Sequence, residues 1–212
     1  MKRVIKGTEP VSFTEWKALE NEQWTPTYRD LKHPQKKQLH TSLLNEQGYA
    51  CCYCGDKITL DSSHIEHFRP QKHFRRLGLE YINLHASCQG ETETPKPAHC
   101  GHSKKSDFCE DTHISPLEDD CENRFRFTLL GEIKGNDDSP AESMINLLAL
   151  DIEFLNSRRK EKLEGIFDNA FLADFTMEEL ETIIQRSRQP LSGQYEAFDH
   201  VVARYAEQLL GH

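Results

Sequence analysis

At 212 residues the chain is long enough to bury a hydrophobic core without disulfide staples. Hydrophobic residues make up 36% and charged residues 29%, and the longest apolar stretch, around Ile145–Leu150, is far too short to span a bilayer. Net charge is −9 but uneven: residues 1–110 carry 16 basic and 14 acidic side chains, residues 111–212 carry 10 and 21. A protein that grips nucleic acid alone shows a clear basic surface, and only the first half can supply one, locally.

The basic start Met1–Gly7 lacks the apolar run of a signal peptide, and seven cysteines mixed with eleven histidines favour metal ligation over disulfides. Membrane and secreted classes are therefore set aside, and the expected location is a reducing cytoplasm.

Residues 1–33 read as irregular, with Trp16 and Trp24 as packing anchors among prolines. From Pro34 to Gln47 the spacing predicts a helix, with Leu39, Leu43 and Leu44 on one face and Gly48 as its stop. Residues 49–107 hold most of the Cys and His but little aliphatic periodicity, so a metal centre is their natural substitute for a core. Alternating Phe125 and Phe127 before Gly131 predict a β-hairpin over 124–134. Ser139-Pro140-Ala141-Glu142 reads as a helix start, with Ser139 as N-cap and Glu142 in capping-box position. Helices are expected at about 140–149, 151–171, 177–188 and 194–210, with Thr176 and Glu179 as a second capping box.

Cys51 and Cys54 form a Cys-x2-Cys pair followed by glycine, a spacing that lets one tight turn aim two thiolates at a tetrahedral zinc. Cys88 and Cys100 make a looser second pair. Together the four would close a structural site and pin 48–55 against 88–105. His99 and His102 are rivals of Cys100 for the fourth position. Cys52, Cys109 and Cys121 read as structural thiols.

Between the pairs lies His64-Ile65-Glu66-His67-Phe68-Arg69-Pro70, whose alternation places His64, Glu66 and Phe68 on one side of a strand and Ile65 and His67 on the other. Asn83-Leu84 follows, then Cys100-Gly101-His102-Ser103-Lys104-Lys105. Over about residues 38–107 this resembles the HNH (ββα-metal) endonucleases: Cys-x2-Cys, an acidic-His pair before proline, Asn-Leu, and a second Cys pair leading to His and Lys. The string Ile65–Pro70, with Glu46-Gln47 ahead of it, is most similar to the PtuB-like HNH nucleases of Septu and retron antiphage systems. The eleven residues between Cys88 and Cys100, and Gly101 before His102, depart from the family spacing.

The resemblance implies an α+β protein with a zinc-stabilised, treble-clef-like ββα core over 49–115. A lead-in over 1–48 precedes it, and an acidic β-hairpin and helical region over 116–212 follows as a possible partner-docking part. It implies His67 as general base, Asn83 as the residue orienting it, and Glu66 and His102 as ligands of a catalytic Mg²⁺ or Mn²⁺. Cys51, Cys54, Cys88 and Cys100 would hold the structural Zn²⁺. A histidine near its ordinary pKa can activate a water, and an open divalent cation stabilises the developing charge, so the residue types suit phosphodiester hydrolysis. Arg69, Lys72, Arg75 and Arg76 follow the motif as candidate phosphate contacts. His64 reads as an ordinary strand histidine or a further metal ligand.

The expected function is a metal-dependent endonuclease, with DNA as the default substrate, acting as the effector of a bacterial defence system. The resemblance implies an ATPase partner resembling PtuA and, in a retron setting, a reverse transcriptase with its RNA–DNA product. The alternatives are cleavage of RNA such as tRNA, and a non-catalytic zinc module that binds nucleic acid or protein.

Overall fold

The computed structural model describes residues 1–89, 96–167 and 175–211. Among these residues it shows a mixed fold of short helices and two two-stranded antiparallel sheets. The first helix, α1 (Val11–Lys17), falls in the stretch that reads as irregular. It buries one side chain, Phe13, too little for a periodic signal, and starts because the Pro10 carbonyl accepts from the amides of Phe13 and Thr14. The rings of Phe13, Trp16 and Trp24 meet in series, as the anchor reading expects of the two tryptophans. Helix α2 (Gln35–Glu46) buries Leu39, Leu43 and Leu44.

Strand β1 (Ser63–His67) pairs with β2 (Leu84–Cys88), placing Glu66 opposite His85 and His67 opposite Leu84. The intervening residues carry two single-turn 3-10 segments, 75–77 and 81–83. A one-turn helix, α3 (Gly101–Lys104), follows β2. Strands β3 (Phe125–Phe127) and β4 (Ile133–Gly135) form the expected hairpin, with Gly131 at φ +79° in its turn.

Helix α4 (Ser139–Leu147) starts one residue earlier than Ser139 would allow as cap. Asp138 is the N-cap, accepting from the Ala141 amide, and Glu142 accepts instead from the Gly135 amide across the hairpin. Helix α5 (Glu153–Glu164) ends at Gly165, so the expected helix over 151–171 is shorter, and its last residues lie outside the described ones. Helix α6 (Met177–Arg188) has the Thr176–Glu179 capping box read from the sequence.

Helix α7 (Asp199–Leu209) begins five residues later than expected. The amides of Tyr195 and Phe198 are committed to the carbonyls of Gly48 and Gly55, and Phe198 sits at φ +62°, so the helix cannot extend backwards. One hydrophobic core runs from Met1 through Leu39, Tyr53, Leu84 and Phe125 to Val201 and Ala206. Among the described residues no helix is long and apolar enough to cross a membrane.

Candidate metal and catalytic centre

Cys51, Cys54, Cys88 and Cys100 come together with all four sulfurs within 4.8 Å of one another, every one buried. The Cys51–Cys100 and Cys54–Cys88 sulfurs are 3.9 and 3.8 Å apart. Four thiolates at about 2.3 Å from one tetrahedral zinc would stand roughly 3.8 Å apart, so the donor set and its spacing fit Zn²⁺. The Cys51–Cys54 turn is closed by the Gly55 amide donating to the Cys51 carbonyl at 2.9 Å. The Cys88 amide points at the Cys51 sulfur at 3.3 Å, supporting negative charge there.

Cys100 completes the group. Nδ1 of His99 lies 3.2 Å from the Cys100 sulfur and 3.5 Å from that of Cys88, beside the cluster, whereas His102 is exposed and stacks on His64. Cys52 and Cys121 are buried, as structural thiols should be, but Cys109 is exposed in a turn.

The cluster joins the Cys51–Cys54 turn to the end of β2 and the start of α3, and a second group of polar side chains lies on β1. Glu66 is buried and ionised. Burial alone would raise its pKa, but His64 and the Lys104 ammonium outweigh that and hold it below the usual carboxylate value. Oε1 is taken by Nζ of Lys104 at 2.8 Å and by the Tyr53 hydroxyl at 3.1 Å. Oε2 is left facing Nε2 of His64 at 3.3 Å. A Cβ on Gly101 would fall 2.6 Å from Oε2 and 2.8 Å from that Nε2, so glycine keeps the space between them open. Two cis ligands of an octahedral cation at about 2.1 Å stand roughly 3 Å apart, so this pair fits a divalent ion. His102 lies next to the pair, its ring 4.8 Å from that of His64. Among the described residues the four cysteines are the only group of three or more such ligands that converges tightly.

His67 points to the other side of β1. Its Nε2–H donates to the Gly78 carbonyl at 3.0 Å, which leaves Nδ1 as the lone-pair nitrogen, approached only by the Gln71 amide at 3.4 Å. Burial lowers the His67 pKa, partly offset by the Gly78 carbonyl and Glu66, so the ring is the neutral, proton-accepting form at neutral pH. The Tyr28 ring stands edge-on to His67, centroids 4.5 Å apart.

Asn83 does not touch the imidazole. Its carbonyl oxygen accepts from the Arg69 amide at 2.8 Å, and its NH₂ donates to the Arg69 and Leu77 carbonyls at 3.0 Å each. It thereby clasps both ends of the loop that carries Gln71 and Gly78. Asn83 therefore reaches His67 only through the backbone of that loop, whose Gly78 carbonyl meets the imidazole.

The four basic residues after the motif part company. Lys72, Arg75 and Arg76 line an open cleft of about 830 Å³ together with Tyr28, Arg29, Gln71 and Gly78. Arg69 instead pairs with Glu110 and packs over the Phe74 and Phe108 rings.

Sequence reasoning missed Lys104, Tyr53, Gln71, Gly101 and Tyr28. The buried lysine is Lys104, one residue before the exposed Lys105 that a His-x2-Lys spacing selects. The Cys100-x3-Lys104 spacing, one helical turn, was the available signal.

No family model matches the chain. A curated relative from Vibrio cholerae serotype O1 biovar El Tor, the "Retron Vc95 putative HNH endonuclease", is 26% identical over 148 residues, covering 66% of this chain and 68% of its own length.

Proposed function

We propose that this protein is a metal-dependent endonuclease of the HNH type, hydrolysing phosphodiester bonds in DNA, with the β1–β2–α3 unit as its ββα core. The observation that carries the reading is one strand presenting two chemistries on its two faces. His67 offers an unprotonated Nδ1 on one face, and the Glu66–His64 pair offers an open carboxylate oxygen and an imidazole on the other.

His67 takes the proton of the attacking water at Nδ1 while the Gly78 carbonyl holds the other ring nitrogen. Glu66 and His64, with His102 beside them, would hold a divalent cation, Mg²⁺ or Mn²⁺. When bound, that ion supplies charge stabilisation at the phosphate and leaving oxygen. Lys104 and Tyr53 fix the Glu66 carboxylate, and a zinc ion on the four cysteines would hold the end of β2 to the start of α3. Lys72, Arg75 and Arg76 grip the phosphates flanking the cut.

The name of the Vibrio relative supports a retron defence setting, in which we read the chain as a cytoplasmic effector acting with an ATPase. The modest basic surface favours such a partner. A retron reverse transcriptase and its RNA–DNA product would then belong to the same system.

The test is a matched cleavage assay. Wild type and His67→Ala are given plasmid DNA and bulk tRNA with Mg²⁺ or Mn²⁺, with and without the ATPase. Cleavage of plasmid by wild type alone, abolished by EDTA, is expected. Cleavage confined to tRNA would move the substrate to RNA. Equal cutting by both proteins, or none under any condition, would overturn the reading.

A further inference from the structure

Two clefts meet at Tyr28, which among the described residues is the one that lines both. The first is the basic cleft of Lys72, Arg75 and Arg76, and behind its wall lies His67, held between the cleft-lining Gln71 at Nδ1 and Gly78 at Nε2. Its opposite wall is Thr25–Arg29, from the lead-in ahead of α2, and among the described residues no carboxylate lines it. The second, about 480 Å³, is lined by Lys36, His40, Asp61 and His64, so it opens on the imidazole that faces Glu66. Lys36 holds its ammonium over the Tyr28 ring at 5.3 Å. The one carboxylate close to Arg29 along the chain, Asp30, is engaged by the amide and hydroxyl of Thr27. A nucleic-acid backbone that presents one phosphate to both His67 and the Glu66–His64 pair must therefore pass Tyr28. It then has Arg29 on one side and Lys36 on the other.

We propose that the lead-in segment Thr25–Lys36 is the second wall of the substrate groove, with Arg29 and Lys36 each contacting a nucleic-acid phosphate on opposite sides of Tyr28. The inference rests on the nuclease reading above and adds to it an element outside the HNH-like motif. Thr25–Pro26-Thr27 shapes the wall, and Tyr28 packs against the base while the two cations hold the strand across it.

The test is binding by the full-length, zinc-loaded chain carrying His67→Ala, without added divalent cation. The probes are a fluorescein-labelled duplex DNA and a labelled single-stranded RNA, read by anisotropy over a series of salt concentrations. Arg29→Ala and Lys36→Ala are each expected to lower affinity roughly tenfold at low salt. Each should also reduce the slope of log K against log[salt] by about 0.9 on the duplex, or about 0.7 on the single strand. The probe that shows these losses identifies the polymer. The control Lys134→Ala/Arg186→Ala, on β4 and α6, should leave both quantities unchanged. If Arg75→Ala/Arg76→Ala weakens binding but Arg29→Ala and Lys36→Ala do not, the second wall is wrong and the nuclease reading stands. If only one of the two single changes matters, the path across Tyr28 is wrong. If neither wall matters, or neither probe binds with or without the ATPase, the groove falls, and the nuclease reading is then decided by the cleavage assay above.

Discussion

Glu66 keeps its charge out of water because Lys104 stands against one of its oxygens, with the Tyr53 hydroxyl beside it. Removing one partner of a buried pair costs far more than the pair contributes, on the order of 3–5 kcal/mol. Lys104→Met is therefore expected to lower unfolding stability by about that amount, read in urea on zinc-loaded protein. A loss below ~1 kcal/mol would show that Glu66 is solvated and that the pair is not the anchor of this centre. Gly55 is a second residue with no substitute. It sits at φ +74°, and a Cβ there would lie 2.0 Å from Cε1 of the buried His200 ring. Gly55→Ala combines backbone strain with a clash and should cost roughly 2 kcal/mol or more, whereas Gly193→Ala, with open space around it, should cost only the strain of its positive φ. Placement was legible where chemistry restricts spacing: the Cys-x2-Cys turn brings both its thiols into the cluster, and Glu66 and His67 lie next to each other on the expected strand. Lys104, Tyr53 and Tyr28 were not, because what distinguishes each is its partner across the fold.

At the scale of elements, the loop between β1 and β2 is a clasped unit. Asn83 holds its two ends, and the Gly78 carbonyl at its far end sets which nitrogen of His67 is free. Asn83→Ala removes the acceptor of the Arg69 amide and the donor to two carbonyls. Hydrogen exchange at Arg69 should accelerate at least severalfold while the amides of β2 keep their protection. A stability loss of about 1–3 kcal/mol should accompany it. Unchanged exchange at Arg69 would mean that the loop is held by something other than Asn83. Helix α6 and the β3–β4 hairpin were legible because their start signals are local, a capping box and an aromatic alternation before Gly131. Helix α7 was misplaced at its start because the amides of Tyr195 and Phe198 bond to Gly48 and Gly55, which flank the first cysteine pair, a tertiary choice with no local trace. Ser139 lost the cap to Asp138 for a related reason. Asp138 also pairs with Arg124 of the hairpin, so one carboxylate serves cap and sheet together.

At the scale of the whole molecule, the acidic second half is built into the half that carries the cysteine cluster. The Cys100 amide donates to the Leu148 carbonyl, Arg158 pairs with Asp56, and His200 packs over Gly55. Cys100 itself is held at φ +55°, a cost of about 1–3 kcal/mol that this support and a bound metal would offset. Deleting 116–212 would therefore expose the core, so partner docking on that half is better tested by surface substitutions. Stripping metal with a chelator should abolish cooperative unfolding of both halves at once, and metal analysis of intact protein should find one zinc per chain held by the four cysteines.

Glu122 ties three separate parts together: it accepts from the Arg3 amide and pairs with Lys2 at the start of the chain and with Arg188 of α6. Burial would raise its pKa, yet Lys2 and its other cationic neighbours pull it down from 4.5 to about 2. A carboxyl depressed on folding stabilises fully above its unfolded pKa and loses that contribution as pH falls through 4.5 towards 2. The gap in stability between wild type and Glu122→Gln should thus be on the order of 3 kcal/mol at pH 7, hold down to about pH 5, and close below that. Both proteins share any loss of metal ligation in acid, so the difference isolates Glu122. Carbon-13 NMR of its carboxyl at pH 4 should still find it ionised. A carboxyl already half-protonated there would mean that Lys2 and Arg188 do not reach it in solution, and that the chain start and α6 are held to this loop by packing alone.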